Sequence, residues 1–546
     1  MIMKNKSCLI LGAGLMQKPA ILSAKQLGYK TFVIDGNPNA ICNSVADVFT
    51  VIDLKAKEEI LSYAKELKAK ENLSCIFTAG TDFSTSVSYV CEAIELPAHS
   101  YKAAVNASVK TTMRQCFKDN NVPSPEFIKV TKDDLSNELL SKINGIMDYP
   151  FVVKPVDNMG ARGCRMVRSS DEFNSAIEAA IASSKTGTAI VEEYMEGPEY
   201  SIDALIYNGT MTITGFAIRH IKYEPYFIEI GHTMPAVLSE KERNELISVF
   251  ALGAKALGLS CGAAKADIKY TKKGPMIGEI AGRLSGGYMS GWTYPYASDL
   301  NLTKQGLLIA GGNVPEELIS KRVPITYTPS EICKNNPKPY ELYEVPCKRT
   351  SAERAWMSIP GKVKYIEDIT EFTDRAVFDV LPRATVEIGS EVDFPRNNVE
   401  KCGNVICVSH DREMAIKVAE KSVSNIFITL EPNNQKTENY LNHVFLSDEE
   451  KFPPSAYKEL SHKELETITG KIEKNKSVIN FIPEILKSAD YVNAEDWNFN
   501  TIEETARKFD ILRPVHPEID AKKFWSAVVR GGIQAAVYVS DSVKKL

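Results

Sequence analysis

Apolar runs and amphipathic stretches take turns along the first hundred residues. Ser7–Leu11, Thr31–Ile34, Val48–Ile52 and Cys75–Thr78 are short apolar runs, the pattern of strands buried on both faces. Lys18–Leu27, closed by Gly28, and the charged stretch Lys55–Lys70 carry helical spacing. Strands joined by helices predict a parallel sheet with right-handed crossovers, and Leu96-Pro97 ends that unit. A helix over about 108–120 follows. It stops before Val122-Pro123-Ser124-Pro125, because proline disfavours helical backbone in the residue before it.

The period then turns strand-like. Phe127–Val130, Phe151–Val156, Cys164–Val167, Ala189–Tyr194, Tyr200–Tyr207 and Met211–His220 read as strands. Residues 240–258 predict a helix closed by Gly258, 264–280 a hairpin, and Leu302–Ala310 a helix ending at Gly311-Gly312. A further α+β region spans about 320–430. Residues 431–439 (EPNNQKTEN) read as a linker, and 440–546 as an appended module with an amphipathic stretch at Trp525 and an apolar end over Ile533–Val539.

Length and charge exclude several classes. At 546 residues the chain exceeds what one core supports, roughly 250–300 residues, so several domains are expected. Sixty-five Lys+Arg against seventy Asp+Glu leaves −5, without the basic excess on which nucleic-acid affinity rests. No apolar run nears the ~18–20 residues of a membrane helix. The start, MIMKNKSCLILGAG, imitates a short signal peptide, but Gly12 and Gly14 interrupt it and a strand reads better. Eleven cysteines, an odd number scattered singly, point to reduced thiols and a cytoplasmic protein. The chain has no CxxC, no HExxH and seven histidines, which argues against zinc.

Candidate chemistry concentrates in Ala264–Gly287, AKADIKYTKKGPMIGEIAGRLSGG. Lys272-Lys273-Gly274 reads as a three-residue hairpin loop with Gly where positive φ is needed. With Thr271 and Pro275 flanking it, Asp267 lies opposite Glu279 on one face, where like charges are destabilising. A cation resolves that conflict, and Mg²⁺, which takes carboxylate and phosphate oxygens, suits it. The alternative is an exposed face with both carboxylates solvated, or a register slipped by one. Upstream, Phe151–Pro155 ends in Lys154, and Asp157 to Cys164 (DNMGARGC) is a hairpin with a Gly-rich tip whose N–H groups can close over phosphate. Most such tips are merely turns. Lys110 and Arg114 lie one turn apart on a predicted helix face, which is otherwise a solvated cationic face. In Ala189–Asp203, a strand meets a Gly197-Pro198 hinge, with backbone suited to an adenine and Glu199 to ribose hydroxyls.

These pieces, in this order, resemble the ATP-grasp superfamily, especially its carboxylate–amine ligases and the formate- and carbon-dioxide-using purine enzymes. The marks are Lys110, VVKP at 152–155, the loop 157–164, VEEYMEGPEYSID at 191–203 and AD…GEIAGRLSGG ending at Gly287. The resemblance implies an α/β multi-domain chain. Residues 1–100 would form a Rossmann-like pre-ATP-grasp domain and 101–312 a two-lobed ATP-grasp domain with its lid at about 125–191. A small α+β domain at 313–430 and a linker with appended module at 431–546 would complete it. It implies ATP bound by Lys110, Lys154, Asp157, Gly160, Gly163, Glu192, Glu193, Tyr194, Met195 and Glu199. It also implies Mg²⁺, one or two ions, on Asp267 and Glu279, and catalysis by Lys154 and Arg283. Gly14, Thr81, Arg283, Ser285, Gly286 and Gly287 would meet the substrate. Ala281 departs from the family's Glu-x-Asn-x-Arg pattern, which puts a second metal in doubt.

The expected activity is an ADP-forming ligase that joins a carboxylate to an amine through an acyl phosphate. The alternatives are activation of formate or bicarbonate on a phosphoribosyl amine, and a nucleotide-binding regulatory subunit without turnover. The expected partners are a small carboxylate and an amine, with no nucleic acid and no membrane; homodimerisation follows from the resemblance alone. Gly12-Ala-Gly14 with Asp35 also fits a dinucleotide fingerprint in part, but Gln17 stands at its third glycine.

Overall fold

A computed structural model describes residues 5–136, 138–369, 386–443 and 452–543, and the backbone of 377–382. Parts of the expected 313–430 and 431–546 domains (370–376, 383–385, 444–451 and 544–546) lie outside the described residues. The chain forms two units. The first is Met1–Pro225 with His232–Ser351, and the second Tyr226–Gly231 with Ala352–Leu546. Residues 313–351, expected with the small domain, fall in the first unit.

The first unit opens with a parallel sheet of order β3-β2-β1-β4: β1 (Ser7–Leu11), β2 (Lys30–Asp35), β3 (Val48–Val51) and β4 (Leu73–Phe77). Its apolar runs are near-continuous because both faces are covered. Cys8, Ile10 and Val33 pack with α1 (Lys18–Gln26), whereas Leu9, Leu11, Phe32 and Ile34 pack with α2 (Lys57–Glu71) and α3 (Ser84–Ala93). Past α4 (Tyr101–Asn106) and α5 (Lys110–Asp119), an antiparallel sheet of order β5-β8-β6-β7 forms. Its strands are β5 (Phe127–Thr131), β6 (Phe151–Pro155), β7 (Arg165–Val167) and β8 (Thr188–Glu193). Helices α6 (Leu139–Asn144) and α7 (Ser170–Ser183) supply its core partners Ile143, Phe173 and Ile177.

A larger antiparallel array holds β9 (Glu199–Tyr207) between β10 (Thr210–Lys222) and β12 (Gly262–Thr271), with β13 (Gly274–Ala281) beyond β12. The chain passes between the units within β11 (Ile228–Met234). Helix α8 (Glu240–Leu257) begins with a Ser239/Glu242 capping box and ends at Gly258, φ +86°, where glycine avoids the left-handed penalty. It covers the apolar face formed by Ile202, Ala204, Ala264, Ile268, Ile277 and Ile280. Helices α9 (Tyr294–Ser298), α10 (Leu302–Ala310) and α11 (Glu316–Lys321) follow, then β14 (Val323–Pro324) and β15 (Glu341–Glu344). α10 packs on β4, as the close approach of Gly306 to the Phe77 ring shows.

In the second unit, β16 (Thr350–Trp356), β20 (Gly403–Ser409) and β18 (Val377–Pro382) lie side by side. β17 (Gly361–Asp368) pairs with β19 (Glu391–Val392) and β21 (Ile426–Leu430), and α12 (Arg412–Val423) packs on β20. Residues 431–439, read as a linker, include the start of α13 (Gln435–Leu441), N-capped by Asn434. The tail carries α14 (His462–Leu465), α15 (Ile502–Leu512) and α16 (Ala521–Ser542), with the short pair β22 (Lys471–Ile472) and β23 (Ile519–Asp520). Gln534 of α16 reaches the Ser358 hydroxyl and the Ile428 carbonyl and accepts from Ile359 N. Asn498 brackets the Met357 backbone, accepting from its N–H at 2.9 Å and donating to its carbonyl at 3.0 Å. The tail is therefore built into this unit's core. No disulfide joins any of the eleven cysteines, and among the described residues no helix is long and apolar enough to cross a membrane.

Gly215 in β10 leaves room for the Tyr294 ring, which an added Cβ would meet at 2.2 Å, while Tyr294 Oη is tied to the Ser201 carbonyl at 3.1 Å. Gly215→Ala should cost about 1–3 kcal/mol of stability, the scale of core overpacking, read as a lowered midpoint in denaturant or thermal unfolding.

Candidate functional site

Strand alternation sorts β9 into an apolar face (Tyr200, Ile202, Ala204) and a polar one (Glu199, Ser201, Asp203). Register then assembles the polar side. Glu199 pairs with Lys269, Ser201 with Asp267 and Asp203 with Lys265 across β12, and Arg219 of β10 lies opposite Glu199. Arg219 bonds Glu199 and stands 3.2 Å from Asp267 Oδ2, which also takes Lys265 Nζ. Lys269 Nζ donates to the Met195 carbonyl at 3.1 Å and lies 3.8 Å from Glu199.

Asp267 does lie opposite Glu279, by a different route from the one expected. The hairpin loop is two residues, Lys272-Lys273, with Thr271 opposite Gly274 (φ +96°) and Tyr270 opposite Pro275. A β-bulge between Asp267 and Ile268 then adds one residue, Gly278, to β13 and restores the carboxylate pairing. Sequence offers one cue to the bulge, a glycine inside a strand.

The pair suits Mg²⁺. Glu279 is 38% exposed and lies 4.0 Å from Lys110, and among the described residues no third acidic, His or Cys side chain joins the two carboxylates. Two carboxylates with the other positions left to phosphate and water is the usual Mg²⁺ pattern. Ala281, opposite Lys265, stands where the family pattern has its further ligand.

Lys110 is buried and donates to the Asn158 carbonyl at 2.8 Å, tying α5 to the Gly-rich loop. One turn on, Arg114 is also buried. Its Nε lies 2.9 Å from Glu192 Oε1, and Lys154 Nζ lies 2.6 Å from Glu192 Oε2. Burial alone would raise the Glu192 pKa, but the charges of Arg114 and Lys154 outweigh it and hold the carboxyl below its ordinary value.

The loop has Gly160, Ala161 and Gly163 at φ of +67°, +62° and +69°, three left-handed positions interrupted by Arg162. Asp157 turns from the loop tip to the 184–186 turn, accepting from Ser184 Oγ and the backbone N of Lys185 and Thr186. Glu193 pairs with Lys273 at 2.7 Å, and Lys269 stands 5.0 Å over the Tyr194 ring. Gly197, φ +144°, leaves space for the Tyr270 carbonyl, which a Cβ there would meet at 2.2 Å.

At the far end, Arg283 Nε donates to Asp82 Oδ1 at 2.9 Å. Asp82 therefore serves Arg283, and the N-cap of α3 is Phe83, with no side-chain bond. Gly286 meets Gly80 so closely that an added Cβ would sit 3.0 Å from the Gly80 carbonyl. Thr81 accepts from Gln17 Nε2 at 3.0 Å, while Gly14 faces open space. The Gln17 amide fills the crevice between Thr78, Ala79 and Thr81, and Asp35 accepts from Ala13 N and Asn37 N, so both residues of the partial dinucleotide fingerprint are spent locally. His220 and His232 bond Thr233 and Thr293. Asp203, Arg219, Lys265 and Lys269 escaped the sequence reading. Their cue was polar residues at alternate positions of β9, β10 and β12.

A family model of the ATP-grasp domain matches residues 147–291, and one of the L-amino acid ligase C-terminal domain 2 matches 355–431, so the chain carries both domains. Carnosine synthase 1 of Homo sapiens is 22% identical over 337 residues, 58% of this chain. The chain spans only 40% of that relative's length. The solved L-amino acid ligase from Bacillus licheniformis superposes with a TM-score of 0.62 at 18% identity, covering 78% of this chain and 99% of that one. Phosphoribosylglycinamide synthetase from Anaerococcus prevotii gives 0.57 at 21% identity, covering 78% and 100%. These likenesses show the ATP-grasp fold.

Asp203 shapes the loop that follows Arg283: its Oδ2 accepts from Ser285 N at 3.0 Å and Ser285 Oγ at 2.9 Å. Burial raises its pKa to about 6 despite those bonds and the nearby charges of Lys265 and Arg283. A raised carboxyl pKa opposes folding above the unfolded value, and the penalty fades as pH falls from 6 towards 4. Asp203→Asn keeps an acceptor for Ser285 and should stabilise the protein by roughly 1–3 kcal/mol at pH 7. The gain should vanish near pH 4; unfolding midpoints of both proteins across pH 4–8 measure it.

Proposed function

We propose that this chain is an ATP-dependent carboxylate–amine ligase that forms an amide through an acyl phosphate and releases ADP and phosphate. The observation that carries it is the Asp267–Glu279 pair on a charged sheet face, with Lys110 beside it, in a chain bearing an ATP-grasp domain. The match of 355–431 to an L-amino acid ligase domain favours an amino acid as a substrate.

The chemical problem is that a carboxylate must attack the γ-phosphate, bringing two anions together. Lys110 and Lys154 hold the phosphates, and loop 157–164, with Gly160 and Gly163, folds over them. Asp157 anchors that loop. Glu193, Tyr194 and Met195 line the adenine and Glu199 takes the ribose, whereas Glu192, expected there, is instead the buried anion that orients Lys154. Asp267 and Glu279 would hold Mg²⁺, which would supply charge neutralisation at the phosphates when bound. Arg283 holds the acceptor carboxylate and screens the transferring phosphoryl charge. Ser285, Gly286, Gly287, Thr81 and Gly14 border the acceptor. An acyl phosphate left wet hydrolyses, so the glycine-rich loop also serves to exclude water.

Purified protein with Mg-ATP and pooled acids and amines should release ADP and phosphate only when both pools are present. Asp267→Ala and Glu279→Ala should each cut the rate by about 10²-fold or more, the scale of losing one transition-state charge contact. Release driven by formate or bicarbonate with a phosphoribosyl amine would favour the purine-type reaction instead. ATP binding with no turnover on any pool would favour a regulatory role.

A further inference from the structure

The bulge that sets Asp267 opposite Glu279 is a delicate feature. A regular ladder continuing from Ile268–Ile277 would put Gly278 opposite Asp267 and Glu279 opposite Ala266. A one-residue slip turns every following side chain to the other face, so Glu279 would point at the apolar core under α8. Something has to hold the extra residue in place. A bulge leaves a backbone group without its ladder partner. Here the Gly278 carbonyl accepts from Arg114 Nη2 at 2.6 Å. The same guanidinium, 1% exposed, pairs through Nε with Glu192, which in turn holds Lys154.

We propose that Arg114 is a positioning residue that locks the Gly278 bulge, and so sets the cation-binding pair in register with the phosphate-binding Lys154. This rests on Asp267 and Glu279 being the cation pair. Arginine suits the task because its fork gives Nη2 to the carbonyl while the same cation keeps its Nε 2.9 Å from Glu192, whereas a lysine ammonium has one centre and reaches only one of them. Among the described residues no hydrogen bond or ion pair joins Arg114 to Asp267 or Glu279; the arginine acts through the Gly278 backbone next to Glu279.

The test is calorimetric binding of ADP with and without Mg²⁺, which needs no turnover. In the wild type Mg²⁺ should tighten ADP. Arg114→Lys should shrink that enhancement by about 10–100-fold, the usual cost of losing a supporting partner of a metal site, while metal-free ADP affinity changes much less. Gly278→Ala reaches the same feature without touching Arg114, since its Cβ would meet the Asp267 carbonyl at 3.1 Å. It should lose the enhancement in the same way, and it serves where Arg114→Lys fails to fold. Asp267→Asn is the control. If it abolishes the enhancement while Arg114→Lys and Gly278→Ala retain it, the positioning role is overturned and the metal pair stands. Equal loss of ADP affinity with and without Mg²⁺ in Arg114→Lys overturns it too, by making Arg114 a support of Lys154 alone. If Asp267→Asn leaves the enhancement intact, the reading of the pair fails and takes this proposal with it.

Discussion

Two carboxylates facing each other across a hairpin constrain everything around them. At a separation of about 5 Å and an effective dielectric of about 20, their repulsion is about 3 kcal/mol, a large share of a domain's net stability. The first unit answers with cations fixed by strand register. Arg219 and Lys265 sit on Asp267, and Lys110 approaches Glu279. These charges arrive from three separate elements, so the pair is tolerable only in the assembled sheet.

The cations are themselves arranged around anions. Glu192 is buried between Arg114 and Lys154, Glu199 between Arg219 and Lys269, and Asp82 against Arg283. A buried cation without such a partner would carry an uncompensated desolvation cost. These pairs hold both members of each in a fixed orientation, so little side-chain entropy remains in the groups of this face.

The second unit shows a different use of buried polarity. Asp496 accepts from Asn498 N and Asn500 N, and burial lifts its pKa to about 6. Lys508 donates to Asn500 and to the Ser424 carbonyl, and its own pKa falls to about 8 through burial. Gly532, φ +60°, breaks α16 where an added Cβ would collide with Asp496 Oδ2. These bonds join residues 424, 496–500 and 508, with Gly532 packed against Asp496, which is why a tail that reads as separate along the chain is continuous with the core in space.

Much was legible in the residues alone. The strands of the first sheet, the α8 boundaries and the hairpin came from hydrophobic period and capping, which act over a few neighbours. The face shared by Asp267 and Glu279 also followed from period two, although the loop was one residue shorter than expected and the bulge restored the pairing. Local pattern has no access to pairings between distant strands. Lys269 beside Glu199, Asp82 on Arg283 and Arg114 on the Gly278 carbonyl join residues 70 to 201 positions apart. Composition and spacing determined that these charges exist and how they alternate. Tertiary structure decided which of them neutralise one another, because at low dielectric that choice depends on ångström distances set by register and packing.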